Sequence, residues 1–203
     1  MSLLDPAQRS ARGLAIQAEV TGQPAPQPAT LLEESWRDFI FAEVWSRPGL
    51  DRRARYLISL AGAAMCNGQA GYLDGYVRGA LGSGTLSLAE LREGALHLAV
   101  YGGWSKGAEI DRAVTRIAAE LGLPPAETAP IRAEPWDATE RSEQGAQEFI
   151  NAMTFGGPPP VTPYFDAGIR NFVFGEMWCR KGLDQRSRRW MTLVGVAESA
   201  ADI

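Results

Sequence analysis

The chain has 203 residues, a hydrophobic content of 45% and a formal charge of -4, which together predict one or two small folded domains with a substantial core. The acidic balance and the lack of a basic stripe interleaved with exposed aromatics argue against a nucleic-acid partner. No apolar run is long enough to cross a bilayer, so we expect a cytoplasmic protein without a membrane partner.

Apolar residues recur at spacings of three and four, which predicts an all-α protein. In the first part of the chain the predicted helices cover residues 7–20, 31–46, 51–65, 70–81, 87–101 and 106–121. The proline-rich segment QPAPQP is predicted to be a linker after the first helix. Asp51 is predicted to cap the third helix, and Ser87 with Glu90 is predicted to form a capping box.

Two segments of the chain share an unusual pattern. FAEVWSRPGLDRRAR at residues 41–55 matches FGEMWCRKGLDQRSR at residues 174–188, 133 positions later. We interpret this as a duplication, with a complete first helical repeat at residues 1–125, a linker at 126–140 and a partial second repeat at 141–203. The second copy reaches only the position equivalent to Ala70, so we expect its last apolar helix to be covered by another subunit in a homo-oligomer.

The repeated motif contains a possible site. Glu43 and Arg47 are four residues apart and share a helix face, and the pair recurs as Glu176 and Arg180. It can be an exposed ion pair worth a few tenths of a kcal/mol. Its recurrence beside the same tryptophan favours a role in a site, although support of the Gly-Leu-Asp turn remains open.

A second group of candidates lies between the two motifs. His97 is the single histidine, four residues before Tyr101 on a mostly apolar helix, where it is either a hydrogen-bonded core residue or a general acid or base. Tyr72 and Tyr76 are either packing aromatics or phenols that hold a carbonyl or carboxylate. Trp104 belongs to the same HLAVYGGW segment as His97 and joins the substrate-binding candidates.

The sequence contains no dinucleotide-binding motif after a strand, no P-loop, no nucleophile elbow and no histidine-rich metal motif. The two cysteines, Cys66 and Cys179, are isolated and are predicted to be buried free thiols. We therefore predict no cofactor and no metal.

The ordered blocks EVWSRPGLDRRAR, VRGAL, the capping box and HLAVYGGW resemble the carboxymuconolactone decarboxylase family, within the alkylhydroperoxidase-like superfamily. The resemblance covers about residues 31–121 in full and 141–203 in part. It implies an all-helical fold, homo-oligomers with pockets near subunit contacts, and cofactor-free loss of carbon dioxide from an unsaturated lactone acid.

Three positions depart from the patterns of the decarboxylases and of the disulfide reductases. Tyr72 and Tyr76 stand where typical decarboxylases of the family carry a glutamate and a histidine. In the disulfide reductases of the superfamily a redox C-x-x-C motif lies on this helix, but here Gln69 and Tyr72 occupy the cysteine positions. The chain is therefore predicted not to be a thiol peroxidase.

We thus expect a cofactor-free, decarboxylase-like enzyme that acts on a small carboxylate or lactone by acid and base proton transfer. The alternative is a non-catalytic oligomeric binding or scaffold protein of the same fold. In the enzyme, His97 is the principal proton-transfer group, because an ordinary histidine titrates near neutral pH. The remaining roles are Tyr76 as a second acid, Glu43 as a helper of Arg47 or of proton transfer, Arg47 as the anion anchor, and Tyr72, Tyr101 and Trp104 as substrate contacts.

Overall fold

The computed structural model describes residues 4–66, 70–132, 134–159 and 161–200, and this part of the chain contains helices and no strands, which confirms the all-α prediction. Eight α-helices, α1 to α8, and two π-helices, π1 and π2, follow one another along the chain. Their bounds are α1 Pro6–Thr21, α2 Leu31–Ser35, π1 Trp36–Val44, α3 Arg52–Met65, α4 Ala70–Gly82, α5 Leu88–Gly102, α6 Trp104–Glu120, α7 Ala138–Met153, π2 Tyr164–Trp178 and α8 Gln185–Ala200.

Side-chain caps fix the beginnings of the helices that matter for the site. The Asp51 carboxylate accepts a hydrogen bond from the backbone N–H of Ala54 at 2.7 Å, as predicted. Ser87 and Glu90 form both bonds of the predicted capping box at the start of α5. Asp184, at the position equivalent to Asp51, accepts a bond from the backbone N–H of Ser187 at 2.9 Å.

The segment predicted as one α-helix over residues 31–46 divides after Ser35. From Trp36 onward each hydrogen bond spans five residues, as in the bond of 2.9 Å from the Trp45 N–H to the Ile40 carbonyl. The spacing of apolar residues indicated a helix with one buried face. It did not distinguish the wider π winding, because the two windings place neighbouring apolar residues on similar faces over so short a segment.

Helix α3 lies at the centre of the main core. Its buried residues contact α4, α5, α6 and α8. The proline-rich linker after α1 contains no helix, as predicted. The largest contributors to this core include Tyr56, Leu57, Leu60, Val77, Leu91, Leu98, Ile110, Ile117 and Met191.

The second half of the chain packs partly on itself and partly on the first half. Helix α7 packs against π2, where Phe149, Phe174 and Trp178 form a smaller core. Helix α8 packs against α3 and α5 of the first half. The chain's own first half therefore covers one face of the helix that we expected another subunit to cover, while Leu193 and Val196 remain exposed on its outer face.

Equivalent positions in the two halves make equivalent backbone contacts. A Cβ atom at Gly13 would overlap the Arg37 carbonyl oxygen, and one at Gly145 would overlap the Arg170 carbonyl oxygen. Arg55 at the start of α3 and Arg188 at the start of α8 also make equivalent contacts. Each guanidinium donates hydrogen bonds to backbone carbonyls of the turn before its helix. These contacts support the duplication and the division into repeats, both of which remain proposals.

Two remaining predictions concern single residues and the membrane. Cys66 lies just beyond the end of α3 and is exposed, so the prediction that both cysteines are buried is wrong for this one. The half-buried Cys179 donates its thiol to the Phe174 carbonyl, and burial raises its pKa to about 11. In the ranges described above, every helix is too short or too polar to cross a membrane.

Candidate functional site

His97 is completely buried between α5 and α8. Its Nε2 atom lies 2.8 Å from the Thr192 hydroxyl, and its Nδ1 atom has no hydrogen-bond partner among the described residues. Burial, followed by the positive charge of Arg188, lowers the pKa of His97 to about 3. The imidazole is therefore neutral near pH 7, which differs from the expectation that it titrates there.

Tyr101 and Trp178 extend this polar contact towards π2. The Trp178 indole N–H donates to the Tyr101 hydroxyl at 2.7 Å, and both rings lie against the His97 imidazole. The Tyr101 hydroxyl also faces Thr192, and burial raises the pKa of the phenol. Two of the predicted site residues, His97 and Tyr101, thus belong to one buried hydrogen-bonded cluster that joins the two halves.

An ionic cluster lies one helical turn before His97. Glu93 is buried and contacts the guanidinium of Arg180 at 2.5 Å and that of Arg188 at 3.3 Å. Burial opposes ionisation of Glu93, but the hydrogen bonds and charges of Arg180 and then Arg188 lower its pKa below the ordinary value. Arg180 also donates to the carbonyls of Ala129 and Pro130, so it is held on every side by protein atoms.

Glu43 and Arg47, predicted to work together, have separate surroundings. Glu43 pairs with Arg9 of α1 at 3.0 Å. Arg47 is exposed, and its guanidinium carbon lies 5.9 Å from the centre of the Phe39 ring. No hydrogen bond or ion pair between described residues joins either side chain to His97. The structure therefore does not bring this pair and the histidine together within one chain.

Tyr72 and Tyr76 line a cavity of about 200 Å³ between the end of α1, π1 and α4. The Tyr72 ring meets the Trp36 ring edge to face, and the Tyr76 ring stacks on Trp45. Burial raises the pKa of Tyr76 to about 12 although its hydroxyl faces Trp45 and Ser59. Tyr76 is therefore a protonated hydrogen-bond donor at physiological pH.

An open apolar groove of about 560 Å³ adjoins this cavity at Trp36 and Tyr72. Its walls include Leu32 and Phe39, which are largely exposed. The guanidinium of Arg47 lies 5.9 Å from the centre of the Phe39 ring, which is one wall of the groove. The groove gives solvent and small molecules access to the tyrosine pair.

Trp104, the remaining candidate, lies at the start of α6. It is largely exposed, and its ring stacks on Phe172 of π2 with 6.2 Å between centroids. It is thus near the His97 cluster in the chain but contributes to the contact between the halves. Of the two residues at the cysteine positions of the disulfide reductases, Tyr72 lines the cavity, and Gln69 lies outside the described residues.

Several residues that surround the predicted site residues were not identified from the sequence. Trp178, Thr192 and Arg188 surround His97. Trp178 and Arg188 lie in the repeated motif as the counterparts of Trp45 and Arg55, and Thr192, four residues beyond the motif, is the counterpart of Ser59. Glu93 could have been found from its position four residues before His97. Among the residues described, no group of three or more His, Cys, Asp or Glu side chains is placed to hold a metal ion.

Comparison with known proteins finds a family model that matches the helical unit around the tyrosine cavity. Residues 31–116 match the model of the carboxymuconolactone decarboxylase family. This part of the chain is similar to that family. The match extends from α2 into α6 and includes the four sequence blocks of the first half and the two tyrosines, and it supports a decarboxylase-like function.

Two characterised decarboxylases are similar to the chain. Nitrosuccinic acid decarboxylase from Metarhizium robertsii is 39% identical over 82 residues, which span 39% of this chain and 52% of that protein. The chain therefore covers about half of that relative. The 4-carboxymuconolactone decarboxylase of Acinetobacter baylyi is 28% identical over 126 residues, which span 58% of this chain and 92% of that protein. No solved structure matches the chain significantly.

Proposed function

We propose that the chain is a cofactor-free decarboxylase that binds a small carboxylic acid in the cavity lined by Tyr72 and Tyr76. One observation carries the proposal: the two positions at which this chain departs from the family pattern line the same cavity, beside an open groove. The cavity combines aromatic walls from Trp36 and Phe41 with hydroxyl and amide groups, including that of Gln17. Such a mixture is typical of small-molecule sites.

The lining of this cavity fits one kind of decarboxylation. Loss of carbon dioxide breaks a carbon–carbon bond and leaves its electron pair on the substrate, where an electron-withdrawing group must take it up. A hydroxyl that remains protonated, such as that of Tyr76, can donate a hydrogen bond to the oxygen on which the charge develops. A proton from water then adds to the carbon that lost the carboxylate. No base is required for bond cleavage.

The substrates for which the two relatives are named share the feature that this chemistry requires. Nitrosuccinic acid carries a nitro group, and carboxymuconolactone carries a lactone carbonyl, so each can accept the electron pair itself. We therefore propose that the substrate is a small acid whose own nitro or carbonyl group is conjugated with the breaking bond. Tyr72 and Tyr76 would then replace the acid and the histidine of the family pattern as hydrogen-bond donors.

The test is release of carbon dioxide from nitrosuccinate and from 4-carboxymuconolactone by the purified chain. We expect Tyr76→Phe and Tyr72→Phe each to lower kcat at least tenfold, since removing one such donor costs roughly 10²–10³ in other enzymes. Tyr101→Phe is the matched control, because it removes a phenol outside the cavity. Loss of activity in the control with full activity in both cavity variants would place the reaction at His97 instead.

A non-catalytic binding role remains the second candidate, and the open groove favours it because its apolar walls are exposed to solvent. In that case the same acids would raise the melting temperature of the chain without releasing carbon dioxide. Tyr72→Phe would then reduce the rise in melting temperature, and neither the unsubstituted chain nor any variant would release carbon dioxide.

A further inference from the structure

A second cavity lies in the second half of the chain, between α7, π2 and the proline-rich segment that joins them. It has a volume of about 250 Å³, and its walls include the rings of Phe149 and Phe165 and the Gly-Gly-Pro-Pro segment at 156–159. Arg170 is the charged residue of the described lining, which contains no hydroxyl side chain. The cavity shares no lining residue with the tyrosine cavity of the first half.

Arg170 lies against the α7 wall of this cavity. Its Nε donates to the Ser142 carbonyl at 3.0 Å, one helical turn before Ala146, which also lines the cavity. Among the described residues, no carboxylate lies within ion-pair distance of the guanidinium, and its two terminal nitrogens make no hydrogen bond. The side chain is half-buried. Its remaining N–H groups are therefore left for a ligand or for solvent.

The structural counterpart of Arg170 in the first half is Arg37, which has a carboxylate partner. The two arginines are equivalent because a Cβ at Gly13 would overlap the Arg37 carbonyl oxygen, and one at Gly145 would overlap that of Arg170. Arg37 also lines a cavity of about 250 Å³. Its guanidinium donates to the Asp38 carboxylate through both Nε and a terminal nitrogen, the latter at 3.0 Å.

The residue that follows each arginine makes the difference between the two cavities. Asn171 stands after Arg170, where Asp38 stands after Arg37, and its side-chain amide donates to the Asp166 carbonyl at 2.8 Å. The first cavity also has polar walls from Gln17 and Glu33, whereas phenylalanine rings line the second. The second cavity thus combines one positive charge that lacks a protein counter-ion with an apolar lining.

We propose that this second cavity binds a small aromatic carboxylate, whose ring packs against Phe149 and Phe165 and whose carboxylate accepts hydrogen bonds from Arg170. The planar guanidinium matches the geometry of a carboxylate, and aromatic rings pack favourably edge to face. The cavity is slightly smaller than the roughly 300–1,000 Å³ of typical ligand sites, which suits a molecule with a single ring.

The lining also distinguishes this site from the proposed catalytic cavity. It provides a cation but no hydroxyl that could donate to a charge developing on a substrate, so we assign it binding without chemistry. A phosphate ester would bring a second negative charge for which the described lining has no second cation. The proposal does not depend on the decarboxylase reaction.

The test is an NMR titration of the full chain with benzoate, which reports a dissociation constant from the amide shifts of α7 and π2 alone. We expect saturable shifts there, and weaker binding of benzamide and of phenyl phosphate. Arg170→Met should raise the dissociation constant about tenfold or more, because it removes a charge-assisted hydrogen bond. Asn171→Asp should do the same, since the new carboxylate would occupy the guanidinium as Asp38 occupies Arg37.

The variants separate binding from folding and from the proposed reaction. Arg170→Met also loses the contact with Ser142, but Asn171→Asp keeps the arginine and therefore tests the charge alone. Arg112→Met removes an exposed cation of α6 and should leave the dissociation constant unchanged. Tyr76→Phe should lower turnover and leave the shifts of α7 and π2 unchanged, because it lies in the other cavity.

Three results would overturn the proposal. The first is an absence of saturable shifts in α7 and π2 with benzoate. The second is an unchanged dissociation constant in both Arg170→Met and Asn171→Asp. The third is binding of benzamide or phenyl phosphate at least as tight as that of benzoate, which would show that the site does not select a single negative charge.

Discussion

Glu93 and the two arginines that it contacts determine how the second half of the chain is attached to α5. The carboxylate is 3% exposed, and the guanidinium of Arg188 is buried beside it. Removing one partner from a buried ionic cluster leaves the others with uncompensated charge. Arg180 has a structural role in this cluster, because its N–H groups donate to protein oxygens. A substrate anion would have to displace Glu93 to reach it.

We expect Glu93→Ala to lower the free energy of unfolding by about 3–5 kcal/mol, because it leaves Arg180 and Arg188 buried without their carboxylate. Urea denaturation at pH 7 measures this change. Glu109→Ala is the matched control, since its ion pair with Arg112 is exposed and such pairs are worth about 0–1 kcal/mol. Equal effects of the two substitutions would show that the buried cluster does not stabilise the fold.

His97 gives a prediction about pH. Its pKa is about 3 in the folded chain and about 6.5 when unfolded, so the unfolded state binds the extra proton between these values. The stability due to neutral His97 is present above pH 6.5 and is lost as the pH falls towards 3. Arg188 of α8 disfavours protonation further, while Thr192 and Tyr101 offer uncharged hydroxyls.

Between pH 6.5 and 5 we expect the unfolding free energy to fall by up to about 1.4 kcal/mol per pH unit in the unsubstituted chain. Most carboxylates do not yet titrate there, so the slope belongs mainly to the histidine. His97→Gln should flatten it, although the variant will be less stable at pH 7. Denaturation series at several pH values measure both slopes, and parallel slopes would contradict the buried neutral histidine.

The sequence could identify His97 as a polar residue on an apolar helix but could not determine its protonation. That property depends on α8, which lies more than 90 positions later in the chain and covers the imidazole. The pairing of Glu43 with Arg47 failed to appear for a related reason. Helical spacing places the two on one face, but Arg9 of α1 is closer to Glu43 and engages it. The spacing of residues along one helix gives no information about partners from distant parts of the chain.

The packing of each first helix on its π-helix depends on a glycine. At Gly13 of α1 and Gly145 of α7 the helix backbone lies against a carbonyl oxygen of π1 or π2, with no space for a side chain. The close approach brings Arg37 and Arg170 into equivalent positions in the two halves. It also fixes the proline-rich linker over one wall of the proposed substrate cavity, because that linker connects α1 to α2.

We expect Gly13→Ala and Gly145→Ala each to reduce stability by about 1–3 kcal/mol, because the added methyl group forces the helix pair apart. Gly62→Ala is the matched control: its methyl group enters open space in the middle of α3, where alanine favours the helix by about 0.5–1 kcal/mol. Urea midpoints report all three. A destabilised Gly62→Ala together with an unaffected Gly13→Ala would reverse the expected order and contradict the packing.

Capping chemistry predicted the helix boundaries well, because caps such as Asp51 and Ser87 act within one turn of the chain. The π winding of π1 and π2 was not predicted, since apolar periodicity reports which face is buried and not how many residues each turn contains. The duplication was visible only as a spacing of 133 positions. The repeated glycine contacts agree with it, and it remains a proposal.

The whole molecule is organised around α3, which contacts α8 from the second half and three helices from the first. Arg53 of α3 binds both Ser187 and Asp184 at the beginning of α8. The sequence predicted that the last helix needs a cover, but it could not show that α3 and α5 provide one. The homo-oligomer therefore remains a prediction that sedimentation at micromolar concentration can test.

Because α8 contributes to the same core as α3 and α5, the two halves should unfold together. Met191 of α8 is 1% exposed and lies against Gly94 of α5, so Met191→Ala opens a cavity at the contact between the halves. We expect a loss of about 2–5 kcal/mol and a single calorimetric transition at a lower temperature. Ser199→Ala, nearer the exposed end of α8, is the control and should change stability little. If Met191→Ala instead split the transition in two, with the first half melting at its original temperature, the halves would be independent units and the contact between α5 and α8 would add nothing to the stability of α5.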